Sequence, residues 1–510
     1  MTLKFKHRYE AAAFLGGFAL MSLEIIASRI MAPIVGSSIY SWTAIIGIVL
    51  LGISLGNYYG GKKIDEIPKP EVIAGSLISS SIAISLIPIL VSFADFFVVI
   101  GLPLLFSVSI IAIFLFLIPS FFLGTIFPSV VKLYISELEK AGEGSGLLSG
   151  LGALGSIIGT FLTGFFLIGF IGSSSSLYIL SIILLIASLA FEMNIKRAAL
   201  AMLIILILIS SNLGRKSGNK NIIFETESDY YSIRVANAKY NGVSTKMLFL
   251  DLDSHSLEGN ADKKTGIYQE ISPVFSSLTN NIHDVLVIGG GSYQIPKDMV
   301  KLYDANVTVL EIDPAVTEVA KKFFGTHKYE MKTVNSDGRL FLRTNQQKFD
   351  IIFADAFSSF ISMPWYMATK ENFELSRNSL RNDGVYALNI ISSREGKYDK
   401  LYKSILRTFA ESFPNYSALY LGKNEEDIQN IIIIGKKSDK KINTEELEKT
   451  IQLLRSEDFG NMQISYSDKP EFDSKISILT DEFAPIEKIT APLVNSYINL
   501  YSRWARSILK

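Results

Sequence analysis

The sequence predicts a multi-span α-helical membrane domain, a small β domain and an α/β Rossmann-like domain built on a doubly wound sheet. Residues 10–213 are long apolar runs with few charges, whereas residues 214–510 have the mixed composition of a soluble protein. Short strand patterns at 221–270 give way from residue 284 to strands that alternate with helices. That alternation is typical of a parallel sheet covered by helices. We therefore expect three domains, at 1–213, 221–270 and 271–510.

The overall composition excludes several classes of site. The chain has 510 residues, too many for one hydrophobic core, and it contains no cysteine. Disulfides, thiolate metal sites and cysteine nucleophiles are therefore excluded, and no metal is expected. The 49 basic residues balance 49 acidic ones, which argues against a nucleic-acid partner bound through its phosphates.

The apolar runs of the first domain are long enough to cross a membrane, because a spanning helix needs about 20 mostly apolar residues. Seven such runs occur, near 11–32, 41–60, 72–93, 97–126, 146–171, 174–192 and 198–213. Apolar character continues around the fourth run from Phe96 to Ile135, interrupted by prolines. This stretch is either one span with a re-entrant piece or two spans. We expect a multi-pass protein of the cell membrane, in contact with lipid.

Small and charged residues stand out within these runs. Glycines recur at intervals of four residues, a spacing that lets helix backbones approach closely, at Gly52, Gly56 and Gly60, at Gly146 and Gly150, and at Gly155 and Gly159. Internal packing is favoured over a homodimer interface or a transport path. Glu24 and Arg29 lie inside the first run, where a charge must pair or face a polar cavity. An intramolecular ion pair is favoured over contact with a substrate or a lipid headgroup.

The strands of the second half follow from apolar patterns and turn signals. The small β domain has predicted strands at Ile222–Glu225, Tyr231–Ala236 and Lys246–Asp251, with a hairpin turn at Asn241-Gly242. The main sheet has predicted strands at Asp284–Ile288, Asn306–Ile312, Tyr329–Val334, Asp350–Ala354, Gly384–Ile391, Ser417–Leu421 and Asn430–Ile434. In such sheets the ligand binds at the carboxyl ends of the strands, where the strand order reverses.

Glycines and acidic residues occupy those carboxyl ends. Gly289–Gly291 follows the first strand and lets the backbone approach a ligand. Glu311 ends the second strand, the position of a carboxylate that accepts both ribose hydroxyls. Asp337 and Gly338 follow the third strand, where an acid can accept a hydrogen bond from an exocyclic amine, and Asp355 ends the fourth. Four acidic or glycine-rich strand ends together favour an adenosine-binding site.

The residues after the glycines discriminate between adenosine ligands. Ser292–Pro296 lacks the third glycine of the dinucleotide fingerprint, which argues against NAD and against a phosphate cradle.

Residues 227–435 resemble the spermidine synthase family of polyamine aminopropyltransferases, and the whole chain resembles members fused behind a membrane domain. The matching segments are Glu227–Val235, Leu248–Asp251, Tyr268–Glu270, Val287–Gly291, Glu311–Pro314, Asp337–Arg339 and Asp355–Ala356. The residues similar to the membrane-fused group are Glu24, Ser28, Arg29, Ala32 and Pro33 and the segment Leu479–Glu487. The resemblance implies a Rossmann-like fold of the methyltransferase type. It also implies S-adenosylmethionine, or its decarboxylated form, as substrate and a polyamine as the small-molecule acceptor.

The resemblance further implies a role for each site residue. Glu311 would hold the ribose, Asp337 would read the adenine, and Asp355 would accept a proton from the attacking amine. Tyr268 is the second candidate catalytic residue. The remaining candidates for binding the nucleoside are Gly289, Gly290, Gly291, Ser292, Gly338 and His255.

Three positions depart from the family pattern. Soluble members carry an aspartate after the three glycines, a second aspartate three residues after the proton acceptor, and a histidine between the tyrosine and the glutamate. Here these positions are Ser292, Ser358 and Gln269. The nucleoside half of the site is therefore kept, while the halves that hold the aminopropyl group and the acceptor are changed.

A neutral residue at position 292 removes a repulsion against the α-carboxylate of intact S-adenosylmethionine, and a helix N-terminus would favour that carboxylate. The first interpretation is a membrane-bound aminopropyltransferase-type enzyme that breaks the Cγ–S bond and releases 5′-methylthioadenosine. The alternatives are a lyase or cyclase of intact S-adenosylmethionine, a methyltransferase, and a protein that senses or transports a nucleoside.

The location of the presumed ligand bears on topology. Basic residues at Lys4, Lys6 and Arg8 put the N-terminus in the cytoplasm. Seven crossings would place the second half outside the cell, and eight would return it to the cytoplasm, where adenosylated sulfonium compounds are made. We therefore favour eight crossings, or six with a terminal segment that does not cross.

Overall fold

A computed structural model describes residues 3–99, 102–135, 141–191, 195–216, 221–240, 242–251, 253–259, 267–279, 282–357, 363–438, 444–455 and 463–509. The chain divides into two compact units. The first comprises Met1–Lys220 with Thr226–Tyr231, and the second comprises Asn221–Glu225 with Ser232–Lys510.

The first unit is helical. Its helices, within the described residues, are α1 (Leu3–Val35), α2 (Ile39–Glu66), α3 (Glu71–Val99), α4 (Leu104–Tyr134), α5 (Ala141–Ile171), α6 (Ser173–Ser188) and α7 (Ile195–Lys216). Five of the described helices, α1 to α5, are long and apolar enough to cross a membrane by length and composition. The ambiguous fourth run forms one helix from Leu104 that contains π-helical turns, and not two separate spans. The number of crossings and the orientation stay predictions.

The spaced glycines differ in what they face. A Cβ at Gly60 would lie 2.7 Å from the Cα of Thr125, and a Cβ at Gly159 would lie 3.0 Å from the Cα of Phe18. These helices therefore pack backbone to backbone inside the unit, as expected. Gly146 and Gly150 have no atom of the described residues within 4 Å of such a Cβ, so the internal-packing prediction is wrong for this pair.

The expected ion pair in α1 is wrong. Arg29 donates through its guanidinium to the main-chain oxygens of Ser228 and Tyr230, each at 2.6 Å, and no ion pair of Glu24 or Arg29 occurs in the described part of the chain. Residues five apart on a helix do not share a face, so Glu24 is poorly placed to meet Arg29. The guanidinium of Arg29 is thus bound by carbonyl oxygens of the segment Thr226–Tyr231, where a carboxylate was expected to bind it.

The small β domain is an antiparallel sheet. In the described residues it contains β1 (Ile222–Glu227), β2 (Ser232–Tyr240), β3 (Val243–Leu250) and β4 (Asp253–Gly259), in that order. The turn between β2 and β3 places Gly242 at φ +79°. The sequence did not predict β4, because its polar residues form a strand only through pairing with β3.

The main sheet has, over the described residues, eight strands in the order β12-β10-β11-β9-β8-β5-β6-β7. They are β5 (Asp284–Ile288), β6 (Asn306–Leu310), β7 (Lys332–Val334), β8 (Phe349–Ala354), β9 (Leu380–Ser392), β10 (Asn415–Leu421), β11 (Gln429–Lys436) and β12 (Ile464–Asp468). The Rossmann-like α/β class is confirmed. The expectation of a wholly parallel sheet is wrong, because β11 and β12 run opposite to the others. A short connection joins β10 to β11, and such connections produce antiparallel neighbours.

The order of the strands defines the ligand edge. The chain runs outward from β5 through β6 to β7, and then returns to β8 on the other side of β5. The strand order therefore reverses between β5 and β8, the usual place for a ligand in such sheets. Both strands are buried throughout, as central parallel strands are. The helices that follow strands β5 to β9 in turn are α8 (Gln294–Tyr303), α9 (Pro314–Phe323), α10 (Gly338–Thr344), α11 (Lys370–Ser379) and α12 (Lys400–Ser412).

Candidate active site

The glycine turn after β5 joins two strand ends. Gly289 donates its N–H to the oxygen of Leu310 at 2.8 Å, and Asp355 donates its own N–H to the oxygen of Ile288 at 2.8 Å. Gly289 has φ +99°, and a Cβ there would collide with the main-chain oxygen of Asp355. Only glycine lets the end of β5 pass this close to the end of β8.

Glu311 lies directly after β6 and faces the glycine turn. Its carboxylate accepts hydrogen bonds from the N–H of Gly290 at 2.9 Å and from the N–H of Asp313 at 3.0 Å. Burial raises the pKa of Glu311, and these N–H donors oppose the rise. A Cβ at Gly290 would lie only 3.1 Å from Oε2 of Glu311, so the absence of a side chain at this position leaves room for the carboxylate. A carboxylate has about four acceptor positions, so capacity for a ligand's hydroxyls remains.

Asp337 follows β7 and caps the next helix. One carboxylate oxygen accepts the N–H of Leu340 at 2.9 Å, and the other accepts the hydroxyl of Tyr366 at 2.8 Å. A Cβ at Gly338 would lie 2.5 Å from Cγ2 of Ile288, so this turn packs tightly onto the end of β5. One oxygen of Asp337 therefore caps the helix that begins at Gly338, which is the structural alternative to contact with a ligand. The Asp337 side chain is half-buried.

Asp355 lies at the end of β8, between two side chains from other elements. Its carboxylate accepts hydrogen bonds from the Tyr268 hydroxyl and, at 2.8 Å, from Nδ2 of Asn389. Burial raises the pKa of Asp355, while these two donors oppose the rise. Burial and the charge of Asp355 also raise the pKa of Tyr268 well above its ordinary value, so the phenol stays protonated. The tyrosine and the aspartate predicted as catalytic are in direct contact.

Asn389 is a site residue that sequence reasoning missed. It lies on β9 with 2% of its surface exposed, and its Oδ1 accepts no hydrogen bond from the described residues. Its Nδ2 also lies 3.3 Å from Oδ1 of Asn430 on β11. An asparagine in the apolar strand Val385–Ile391 was the available signal, because buried amides are kept where they have partners.

Strand β4 passes the other side of the glycine turn. Ser292 is 2% exposed and donates its N–H to Oγ of Ser256 at 3.0 Å. The neighbouring His255 is half-buried, and loss of hydration lowers the pKa of its imidazole to about 4, so the ring is neutral near pH 7. Sequence reasoning named His255 but missed Ser256, because it did not predict β4.

The structure thus brings the predicted residues to one edge of the sheet. The glycine turn contacts Glu311 by hydrogen bonds, Asp355 by main-chain packing and β4 through Ser256. Asp337 adjoins the same edge through Gly338. Two of the residues that depart from the family pattern cannot be placed, because Ser358 and the side chain of Gln269 lie outside the described residues.

Comparison with known sequences identifies the domain that carries this edge. Residues 267–446 match the model of the spermine/spermidine synthase domain. A probable polyamine aminopropyl transferase of Bifidobacterium longum is 24% identical over 311 residues, which cover 57% of this chain and 67% of the relative. A polyamine aminopropyltransferase of Hydrogenobaculum is 30% identical, over 33% of this chain and 60% of the relative. Polyamine aminopropyltransferase 2 of Aquifex aeolicus is 23% identical over 78% of this chain and 82% of its own length.

Solved structures are similar over about half of the chain. A probable spermidine synthase from Corynebacterium glutamicum matches with a TM-score of 0.40 and 18% identity, over 48% of this chain and 90% of that one. The spermidine synthase of Thermotoga maritima matches with a TM-score of 0.37 and 18% identity, over 51% of this chain and 82% of that one. Residues 267–446 are therefore similar to the spermine/spermidine synthase domain, and these relatives agree with the resemblance that the sequence predicted.

Proposed function

We propose that the chain is a membrane-bound transferase of the aminopropyltransferase type. It binds S-adenosylmethionine or the decarboxylated form, breaks the Cγ–S bond and releases 5′-methylthioadenosine. The observation that carries the proposal is the contact of Tyr268 with Asp355 at the same sheet edge as Glu311 and the glycine turn. The proposed nucleoside-binding edge thereby includes a half-buried carboxylate, Asp355, which accepts hydrogen bonds from Tyr268 and Asn389.

The nucleoside half of the proposed site uses two acids with different tasks. Glu311 is oriented by main-chain N–H groups and accepts the ribose hydroxyls with its remaining lone pairs. Asp337 is oriented by Leu340 and Tyr366 and accepts a hydrogen bond from the exocyclic amine of adenine. Neither acid has to move to bind, so little conformational entropy is lost.

The reaction proposed for this site is a displacement at carbon. The amine nitrogen attacks the γ-carbon, the new N–C bond forms as the C–S bond breaks, and the electron pair leaves with sulfur as a neutral thioether. The proton lost by the amine goes to Asp355. A raised pKa brings this carboxylate closer to the operating pH, which favours general-base catalysis. Its negative charge also attracts the sulfonium cation before the reaction.

A second candidate function is cleavage of intact S-adenosylmethionine without an acceptor. The observation that favours it is Ser292, a neutral and buried residue beside the turn that leads into α8. An acid there would repel the α-carboxylate of the intact compound, and a serine does not. Attack of that carboxylate oxygen on the γ-carbon would close a lactone and expel 5′-methylthioadenosine, with no proton acceptor needed.

Product analysis separates these functions. The full-length protein, purified in detergent, is incubated with S-adenosylmethionine or the decarboxylated compound, with and without diamines, and the products are identified by mass. Aminopropyl-type transfer requires 5′-methylthioadenosine together with an alkylated amine. Release of 5′-methylthioadenosine from the intact compound alone supports the second candidate. Formation of S-adenosylhomocysteine, or of no product, would contradict both.

A further inference from the structure

The proposed reaction does not use the segment Leu479–Glu487, which is predicted from the sequence to be similar to the membrane-fused group. Asp481 of this segment forms a two-point ion pair with Arg339, at 2.7 Å and 2.5 Å. Arg339 follows Asp337 and Gly338 in the chain. We propose that Asp481 is a positioning residue, which holds Tyr366 against Asp337 and so orients the acid that reads the adenine. The role in adenine binding rests on the proposed function, whereas the positioning of Tyr366 by Asp481 does not depend on it.

The connection runs through the main-chain oxygen of Tyr366. Nη1 of Arg339 donates to that oxygen at 3.3 Å, and the hydroxyl of Thr369 lies 3.2 Å from it. The Thr369 hydroxyl has one proton and donates it either to Oδ1 of Asp481, 2.9 Å away, or to the Tyr366 oxygen, so the continuous path from Asp481 to that oxygen runs through Arg339. The Tyr366 hydroxyl then donates to Oδ2 of Asp337 at 2.8 Å. Asp481 therefore reaches Asp337 through one short chain of hydrogen bonds.

The segment is anchored independently of Arg339, as a positioning device requires. Leu479 accepts the N–H of Lys370 at 2.9 Å and donates its own N–H to Oγ1 of Thr408 at 2.9 Å. Thr480 and Phe483 close a tight turn around Asp481, whose N–H donates to Glu371 at 3.1 Å. Contacts with helices α11 and α12 therefore hold Asp481 in place independently of its ion pair with Arg339.

The charges of the pair also favour this arrangement. The Arg339 guanidinium lowers the pKa of Asp481, and the carboxylate raises the pKa of Arg339. A planar guanidinium that binds a carboxylate at two points fixes direction as well as distance. The pair is partly exposed, with 40% of the Asp481 side chain accessible, so its electrostatic strength is modest and its main effect is geometric.

The test compares Asp481→Asn with Glu482→Gln, which alters an exposed acid in the same turn. Binding of S-adenosylmethionine and of 5′-methylthioadenosine is measured by calorimetry on the full-length protein. Asp481→Asn should weaken binding by roughly two- to fivefold, and Glu482→Gln should leave it unchanged. In turnover the loss should appear in KM and not in kcat, because a group that reads the adenine acts equally in ground and transition states. Asp481→Glu should restore part of the affinity.

A second measurement keeps the inference testable if no nucleoside binds. Hydrogen exchange of a peptide that covers 363–369 should be faster in Asp481→Asn than in Glu482→Gln, with no ligand present. Tyr366→Phe combined with Asp481→Asn should bind no more weakly than Tyr366→Phe alone, because both changes break one chain of contacts. Equal exchange or additive losses would overturn the positioning role. Absence of binding by the wild type would instead overturn the proposed function.

Discussion

At the scale of single residues, the three acids of the candidate site differ in what holds them. Main-chain N–H groups hold Glu311, a helix cap and a phenol hold Asp337, and side chains from separate elements hold Asp355. Main-chain donors are always present, whereas side-chain donors depend on the residues that a given relative carries. Asp355 is therefore the acid whose proton affinity the surrounding sequence tunes most easily.

Glu311 should determine nucleoside affinity. A buried charge-assisted hydrogen bond contributes about 1.5–3 kcal/mol, so Glu311→Ala should weaken binding of S-adenosylmethionine by one to two orders of magnitude. Calorimetry measures the change, and Glu318→Ala on the exposed face of α9 is the matched control. Equal affinity in the two variants would rule out the ribose role.

Asp355 should govern rate more than binding. Loss of a positioned proton acceptor typically costs about 10²–10⁴ in rate, so Asp355→Asn should keep most nucleoside affinity and lose nearly all release of 5′-methylthioadenosine. Single-turnover assays with saturating substrate measure the rate, and calorimetry checks the binding. Normal turnover by this variant would contradict the general-base assignment.

The pH profile offers an independent check on the same acid. Only the ionised form of Asp355 can accept a proton, so kcat/KM should fall as the pH drops through its raised pKa. The hydrogen bond from Tyr268 lowers that pKa, so Tyr268→Phe should raise it and move the acid limb to higher pH. A limb that stays in place, or moves to lower pH, would argue that another group controls the profile.

At the scale of elements, the strands divide by how far their own residues specify them. Strands β5, β6 and β8 were predicted to within two residues at each end, because central parallel strands form short apolar runs. Strands β4 and β12 were missed, because their polar sequences become strands only beside a partner. The direction of β11 was predicted wrongly, since an apolar run does not indicate in which direction a strand runs.

Sequence reasoning also missed three residues that form hydrogen bonds in the site, namely Tyr366, Asn389 and Ser256. Each lies far in sequence from the site acid or the glycine turn that it meets, and only tertiary packing brings them into contact.

The glycine turn is the element most sensitive to one added carbon. Gly289→Ala would place a Cβ against the Asp355 carbonyl at a positive φ, so it should lower the Tm and abolish nucleoside binding. Backbone strain of this kind costs of order 1–3 kcal/mol before the collision is counted. Gly325→Ala is the matched control, because φ is +68° but the nearest atom lies 4.0 Å away. Equal losses in the two variants would remove the steric argument and leave backbone strain alone.

At the scale of the whole molecule, the proposed ligand predicts on which side of the membrane the second unit lies. Sulfonium nucleosides are made in the cytoplasm, so we expect the second unit to face that compartment. A reporter that is active only outside the cytoplasm, fused after Lys510, should be silent, while a cytoplasmic reporter at the same place should be active. The reverse pattern would refute both the topology and the supply of the ligand from the cytoplasm.

The route of the chain between its two units limits how the protein can be divided by engineering. After Lys220 the chain enters the second unit at Asn221–Glu225, returns to the helical unit at Thr226–Tyr231, and leaves it again at Ser232. The returning segment supplies the carbonyl oxygens that receive Arg29. A fragment begun at residue 221 would carry those oxygens away and leave a guanidinium in an apolar helix without its acceptors. Any single cut between the units would therefore either remove the acceptors of Arg29 from the helical unit or remove Asn221–Glu225 from the second unit.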